Sequence, residues 1–161
     1  MEKELQFKQI FALHYPKVVR LCTGYFNGDA DFANDAAQEI FMRVWQHLDS
    51  FRGEAQLSTW IYRISVNTCL MFIRKQKNRK ETVTGNHELI ADAIRPGEED
   101  EKLQKMYSCI RKLDEINRLV ILMVLEGIDY PEIAGVMGMS EENIRVRIHR
   151  IKKSLTQCVQ L

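Results

Sequence analysis

Residues Tyr130–Leu155 read YPEIAGVMGMSEENIRVRIHRIKKSL, which is the punctuation of two helices joined by a tight turn. Pro131 suits the first turn of a helix, where a missing N–H leaves no bond unmade. Ile133, Ala134 and Met137 give that short helix an apolar face. Gly138 permits the left-handed geometry that closes a helix and turns the chain. Ser140 is a good N-cap, and Glu141 and Glu142 stand favourably at the positive helix end. In the second helix Ile144, Ile148, Ile151 and Leu155 are spaced i, i+4, i+7, i+11 on one stripe. Arg145, His149 and Lys152 form another stripe, with Val146, Arg150 and Lys153 beside it. An apolar seam backed by a basic face is what a helix entering a major groove needs. A solvated amphipathic helix of an ordinary bundle has the same pattern, so this stretch alone does not decide function.

The chain has 161 residues, 45% hydrophobic and 28% charged, enough for one domain or two small ones. Its net charge of +1 hides an uneven distribution. Residues 1–80 carry 12 Lys or Arg against 8 acids, and residues 102–161 carry 10 against 7. Between them, residues 81–101 hold one Arg and seven acids. Two basic blocks separated by an acidic connector are more informative than the total. The N-terminus lacks the apolar core of a signal peptide, and the run Leu119 to Leu125 is too short to span a membrane. A cytoplasmic protein is expected, with Cys22, Cys69, Cys109 and Cys158 reduced. Those cysteines and the four histidines are too scattered for a sequence-local metal motif.

Helical periodicity recurs along the whole chain, and no strand-period segment is found. Glu2 to Phe26 has Leu5, Ile10, Leu13, Val18, Leu21 and Phe26 as expected core, with Pro16 starting, kinking or interrupting a helix. Asn27-Gly28-Asp29 marks a turn, and Asp29 or Asp31 caps the helix Phe32 to Leu48. A polar loop, Asp49 to Gln56, precedes a third helix capped by Ser58 and running through Lys77. Residues 81–101 read as a flexible linker, with a short helical piece near Leu89 to Ile94. Helices then resume over about Glu99 to Lys112 and Asp114 to Glu126, the latter capped by Asp114. The fold class expected is all-α: two small helical domains joined by an acidic linker, the second containing the helix-turn-helix.

No nucleophile elbow, P-loop, dinucleotide fingerprint or metalloprotease motif occurs, so no catalytic residue, metal, cofactor or small-molecule substrate is expected. Binding is the better expectation. Two surfaces suit nucleic acid. On the last helix Arg145 and Arg150 can reach base edges, with Arg147, Lys152 and Lys153 on phosphates. The third helix and its preceding loop combine Asn67, Arg63 and Arg74 with Phe51, Trp60 and Tyr62, a mixture suited to unpaired bases. Trp60 lies close to the apolar stripe and is expected in the core.

Two separate segments resemble one family, the extracytoplasmic-function sigma factors of bacterial RNA polymerase. DAAQEIFMRVWQHLDSFRGEAQLSTWIYRISVNTCLMFIRKQKNRK resembles that group's second conserved region, and LDEINRLVILMVLEGIDYPEIAGVMGMSEENIRVRIHRIKKSL its fourth. The specific signal is D-x-x-Q-E-x-F followed by T-W-x-Y-R-I-x-x-N in the first segment, ahead of a helix-turn-helix. The resemblance implies a domain over residues 1–80 for polymerase docking and minus-ten recognition, a linker over 81–101, and a minus-thirty-five domain over 102–161. It implies that Asp35, Gln38, Glu39 and Met42 dock on the clamp coiled coil of the polymerase's largest subunit. The loop around Phe51, Arg52 and Gly53 is implied to capture a flipped minus-ten base, with Asn67 reading the element and Arg63, Arg74 and Lys75 on the strand backbone. Asn143, Arg145, Val146, Arg147, His149, Arg150 and Lys153 are implied to face the minus-thirty-five duplex. The implied partners are core RNA polymerase, including the flap of its second subunit, promoter DNA, and a separate anti-sigma factor, since no extra domain follows residue 161.

The chain departs from the family pattern at Asp114, where proline is usual, and at Asn143, Val146 and Ile151. These changes leave the fold intact and the preferred upstream sequence open. The competing reading is a helix-turn-helix repressor or activator that binds palindromic duplex without polymerase.

Overall fold

The computed structural model describes residues 1–80 and 98–161, and all regular structure among them is helical. The first half contains α1 (Glu2–Tyr25), α2 (Ala30–His47), a 3-10 turn (Leu48–Ser50) and α3 (Leu57–Lys80). The second contains α4 (Glu98–Arg111), α5 (Glu115–Leu125), α6 (Tyr130–Met137) and α7 (Glu141–Gln160). Most of the expected linker, including the piece near Leu89 to Ile94, lies outside the described residues.

The helix ends are written locally. Asp29, Asp114, Asp129 and Ser140 each accept a backbone N–H three residues on, at 3.0, 2.8, 2.9 and 3.1 Å. Such a cap is worth about 1 kcal/mol. Gly138, at φ 67°, ψ 32°, closes α6, and Met139 N–H returns to the Ala134 carbonyl at 3.1 Å. Pro16 lies inside α1, so it neither starts nor interrupts that helix. Ser58 does not cap α3; it stands inside the first turn, and its hydroxyl donates to Glu132 of the second half.

In the first half α2 presents Ala33, Ala36, Ala37, Ile40 and Val44, all fully buried, so α1 and α3 approach it closely over small side chains. Ile10, Val18, Leu21 and Phe26 are core as expected, whereas Leu5 and Leu13 are each 61% exposed. In the second half Ile144, Ile148 and Ile151 seat α7 against Leu119 and Met123 of α5 and Ile133 of α6. Truncating one such isoleucine to alanine costs about 2–5 kcal/mol.

The halves are not separated. α6 packs on α3 and α5 on α1, so the buried residues of both form one continuous core. Cys109 of α4 and Cys158 of α7 form a disulfide, with Cα atoms 5.9 Å apart. This corrects the expectation of four reduced cysteines. A separation of 49 residues hides the pair in the sequence, and the packing of α4 on α7 brings it together. Cys22 and Cys69 are buried with their sulfurs 3.9 Å apart and unbonded.

Candidate nucleic-acid interface

α2 buries its alanine face and turns Asp35, Gln38 and Met42 to solvent, with Glu39 half-buried beside them. These four occupy i, i+3, i+4 and i+7, one strip of the helix. Met42 is 57% exposed, an apolar knob in an acidic and amide strip. Glu39 pairs with Arg43 at 3.1 Å, and the Arg43 guanidinium reaches the Met71 sulfur of α3 at 3.2 Å. The strip is therefore held on a rigid pair of helices. Trp45, one turn on, carries the Lys3 ammonium 4.3 Å from its ring centroid. An acidic strip with an apolar end suits a basic helical partner.

The loop between α2 and α3 begins with the Phe51 N–H on the Leu48 carbonyl at 3.2 Å. Gly53 takes φ 75°, which a side chain there would strain. The Phe51 ring lies 4.8 Å from that of Trp60, tilted by 31°. Trp60 is half-buried: its body packs on the core while one face supports the loop. Along α3, Arg63, Asn67, Arg74 and Lys75 are exposed. An aromatic ledge at the mouth of a basic, amide-bearing helix can stack an unpaired base and hold its phosphates. Arg63, however, is engaged: its Nε donates to the Gly135 carbonyl of α6 at 2.9 Å.

On α7 the isoleucine seam faces inward and Asn143, Arg145, Val146, His149, Arg150 and Lys153 face out. Arg145 pairs with Glu141 at 2.9 Å, both largely exposed, a pair that water and salt hold weakly. Arg147 departs from the expected row. It is half-buried, and its guanidinium donates to Asn117 of α5 at 2.8 Å. The helical turn places residue 147 beside the seam, where a long side chain finds a partner on the neighbouring helix.

Sequence reasoning missed the residues that join the halves. Arg20 is bidentate on Glu126, at 3.1 and 3.2 Å. Arg118 donates to the Tyr25 carbonyl at 3.2 Å and holds its guanidinium 5.4 Å from the Tyr25 ring. Tyr62 is buried near Glu126 and Glu132; desolvation, then those two carboxylates, push its hydroxyl up to about 12. Only unpaired signs at helix-face positions could have flagged these residues, and many solvated charges look the same.

The Sigma-70 region 2 family matches residues 10–79, and the Sigma-70 region 4 family matches residues 103–155. The chain is 30% identical to the ECF RNA polymerase sigma-E factor of Escherichia coli (strain K12), over 96% of this chain and 86% of that protein. It is 26% identical to the ECF RNA polymerase sigma factor SigW of Bacillus subtilis (strain 168), over 92% and 86%. Two solved structures share the fold at TM-score 0.73 and 23% identity. One is the sigma factor RpoE of Bartonella quintana in complex with the anti-sigma factor NepR, covering 97% of this chain and 98% of that one. The other is CnrH in complex with the cytosolic domain of CnrY, covering 98% and 89%. Among the described residues, no helix is long and apolar enough to cross a membrane.

Proposed function

The chain belongs to the extracytoplasmic-function sigma factors of bacterial RNA polymerase, and from that membership we propose how its surfaces divide the work of promoter-specific initiation. As a sigma factor it binds core polymerase and directs it to promoters. The reading of a repressor acting without polymerase gives way, because both sigma regions are matched in order on one chain. In our proposal residues 1–80 dock on polymerase and read the minus-ten element, residues 102–161 read the minus-thirty-five element, and 81–101 connect them. The chain supplies binding energy and no catalysis of its own, and it acts in the cytoplasm with the polymerase.

Asp35, Gln38, Glu39 and Met42 form the docking strip for the clamp coiled coil, and the second half meets the flap. Phe51, Arg52 and Gly53 receive an extruded base, Asn67 reads the unpaired strand, and Arg63, Arg74 and Lys75 hold its phosphates. Contacts with a flipped base offset lost stacking and pairing, so opening becomes favourable without hydrolysis. Asn143, Arg145, Val146, His149, Arg150 and Lys153 face the upstream duplex, while Arg147 braces α7 on α5. A separate anti-sigma factor, as NepR is for the structurally similar RpoE, completes the set of partners.

The observation that carries this reading is the exposure of Asp35, Gln38 and Met42 on one face of α2, with the aromatic ledge and α3 following directly. Run-off transcription with purified core polymerase tests it. The chain should confer initiation at a discrete start site, and Asp35→Ala with Gln38→Ala should lower both that signal and co-purification with core. Full retention of polymerase by the double variant would remove the docking assignment.

A further inference from the structure

We propose that Val146 reads the C5 methyl group of a thymine, so that the upstream element carries a thymine–adenine pair at the step lying under this side chain. The inference deepens, and rests on, the reading of α7 as the helix that faces the upstream duplex. Its first support is position. Ile144 and Ile148, 0% and 1% exposed, fix the inward face of α7. Val146 stands two residues from each, which at 3.6 residues per turn is a rotation of about 200° from both. It therefore occupies the crest of the helix, opposite the seam, and is 45% exposed. It also falls within the first two turns of a helix that begins at Glu141. That is the part of a recognition helix that contacts base edges. A helix about 10–12 Å across fills a major groove about 12 Å wide and 8.5 Å deep, so the crest residue meets the groove floor.

The second support is chemical. An isolated exposed apolar residue is ordinary on a protein surface, and the surroundings give this one its meaning. Glu142, Asn143, His149, Arg150 and Lys153 share the outer face with Val146, and all are exposed. One valine among polar groups is too small a patch to dock a protein. The floor of the major groove offers it a different match. Base edges there present the acceptors N7, O6 and O4, the amino donors N4 and N6, and one apolar group, the thymine methyl. Valine has no hydrogen-bonding atom. Against a donor or acceptor edge it would strip water and return nothing, which is costly for a polar group taken out of solvent. Against thymine it covers a methyl with methyls. Branching at Cβ holds valine in one preferred rotamer in a helix, so little freedom is lost on contact. Asn143, Arg145 and Arg150 are left to take polar edges of the flanking pairs.

Deoxyuridine tests this, because it differs from thymidine only in lacking the C5 methyl. Holoenzyme assembled from the full chain and core polymerase first selects its preferred upstream element from randomised duplexes. Each thymine of that element, on either strand, is then replaced singly by deoxyuridine, and holoenzyme binding is measured by competition. One replacement should weaken binding about fourfold, the factor that burial of one methyl-sized group supplies. In Val146→Ser the same replacement should be nearly silent, while sensitivity to the other base pairs remains. Val146→Ala, in which a strong helix former takes the place, should lose the methyl response in the same way, and thermal melts check that both variants are folded. As a gain of contact, a 5-methylcytosine–guanine pair at that step should bind wild type better than cytosine–guanine, and should bind the variants no better. A selected element with no thymine on either strand, no response to methyl removal at any step, or an equal response in wild-type and variant chains overturns the assignment of Val146. Scrambling the whole upstream element is read separately. If it leaves holoenzyme binding unchanged, the placement of α7 on that duplex fails and the methyl contact with it. If it abolishes binding while deoxyuridine is silent, the methyl contact alone fails.

Discussion

Phe51 leans on Trp60 with ring centroids 4.8 Å apart, which ties the loop after α2 to the helix that follows it. A contact of this kind is worth about 0.5–1.5 kcal/mol beyond burial. Trp60→Ala should therefore slow strand opening by about threefold to tenfold. A template already unpaired over the minus-ten element should restore most of the signal. If the premelted template gives no rescue, Trp60 serves the fold and not the loop.

Arg145 and Arg147 are two residues apart and should behave differently. Arg145 is held only by an exposed pair with Glu141, so it is free to exchange that carboxylate for a guanine edge. Arg145→Ala should weaken dependence on the upstream sequence by about tenfold or more. Arg147→Ala should leave that dependence nearly intact and lower stability by about 1.5–3 kcal/mol, the range for a charge-assisted bond such as the one to Asn117. Footprints on wild-type and substituted upstream elements, with thermal melts, separate the two.

His14 is 7% exposed on α1. Burial, then the nearby Lys17, hold its pKa below the ordinary 6.5, against a smaller opposing effect of Glu132. The unfolded chain therefore binds more protons than the folded one just below that value. Stability should be full above about pH 6.5 and fall as the solution is acidified, by at most about 1.4 kcal/mol per pH unit from this group. His14→Gln should flatten this part of the curve in denaturant titrations at pH 7.5 and 5.5. An identical acid slope in the variant assigns the effect elsewhere.

The Cys109–Cys158 bond closes a long loop, and such bonds contribute about 2–4 kcal/mol. Reductant should lower the melting temperature of the wild-type chain, and Cys158→Ala should remove the response. The other pair does not confuse the reading: Cys22 and Cys69 are not joined in a disulfide, and the hydrogen bond with Cys22, then burial, push the Cys69 thiol up, which keeps it protonated.

Much of the architecture is legible without coordinates because its causes are local. Asp114, Ser140 and Gly138 end or begin helices through bonds within a few residues, and the Ile144, Ile148, Ile151 seam follows from the helical period. Asp35, Gln38 and Met42 are exposed for the same reason: opposite them lies an unbroken apolar face. Other features answer to distant neighbours. Leu5 and Leu13 have core spacing, yet among the described residues nothing covers them and both are largely exposed. Arg147 lies in a basic run and is drawn to Asn117.

The sequence by itself determines most of the punctuation of the helices among the described residues, two basic faces and the order of two sigma regions, since periodicity, caps and motif spacing are properties of neighbouring residues. Tertiary structure alone decides that Cys109 meets Cys158, that Gly24 receives Leu122, and that Arg63 is bound to α6. These depend on packing between residues far apart in the chain, where each contact exists only because all the surrounding helices have already taken their places.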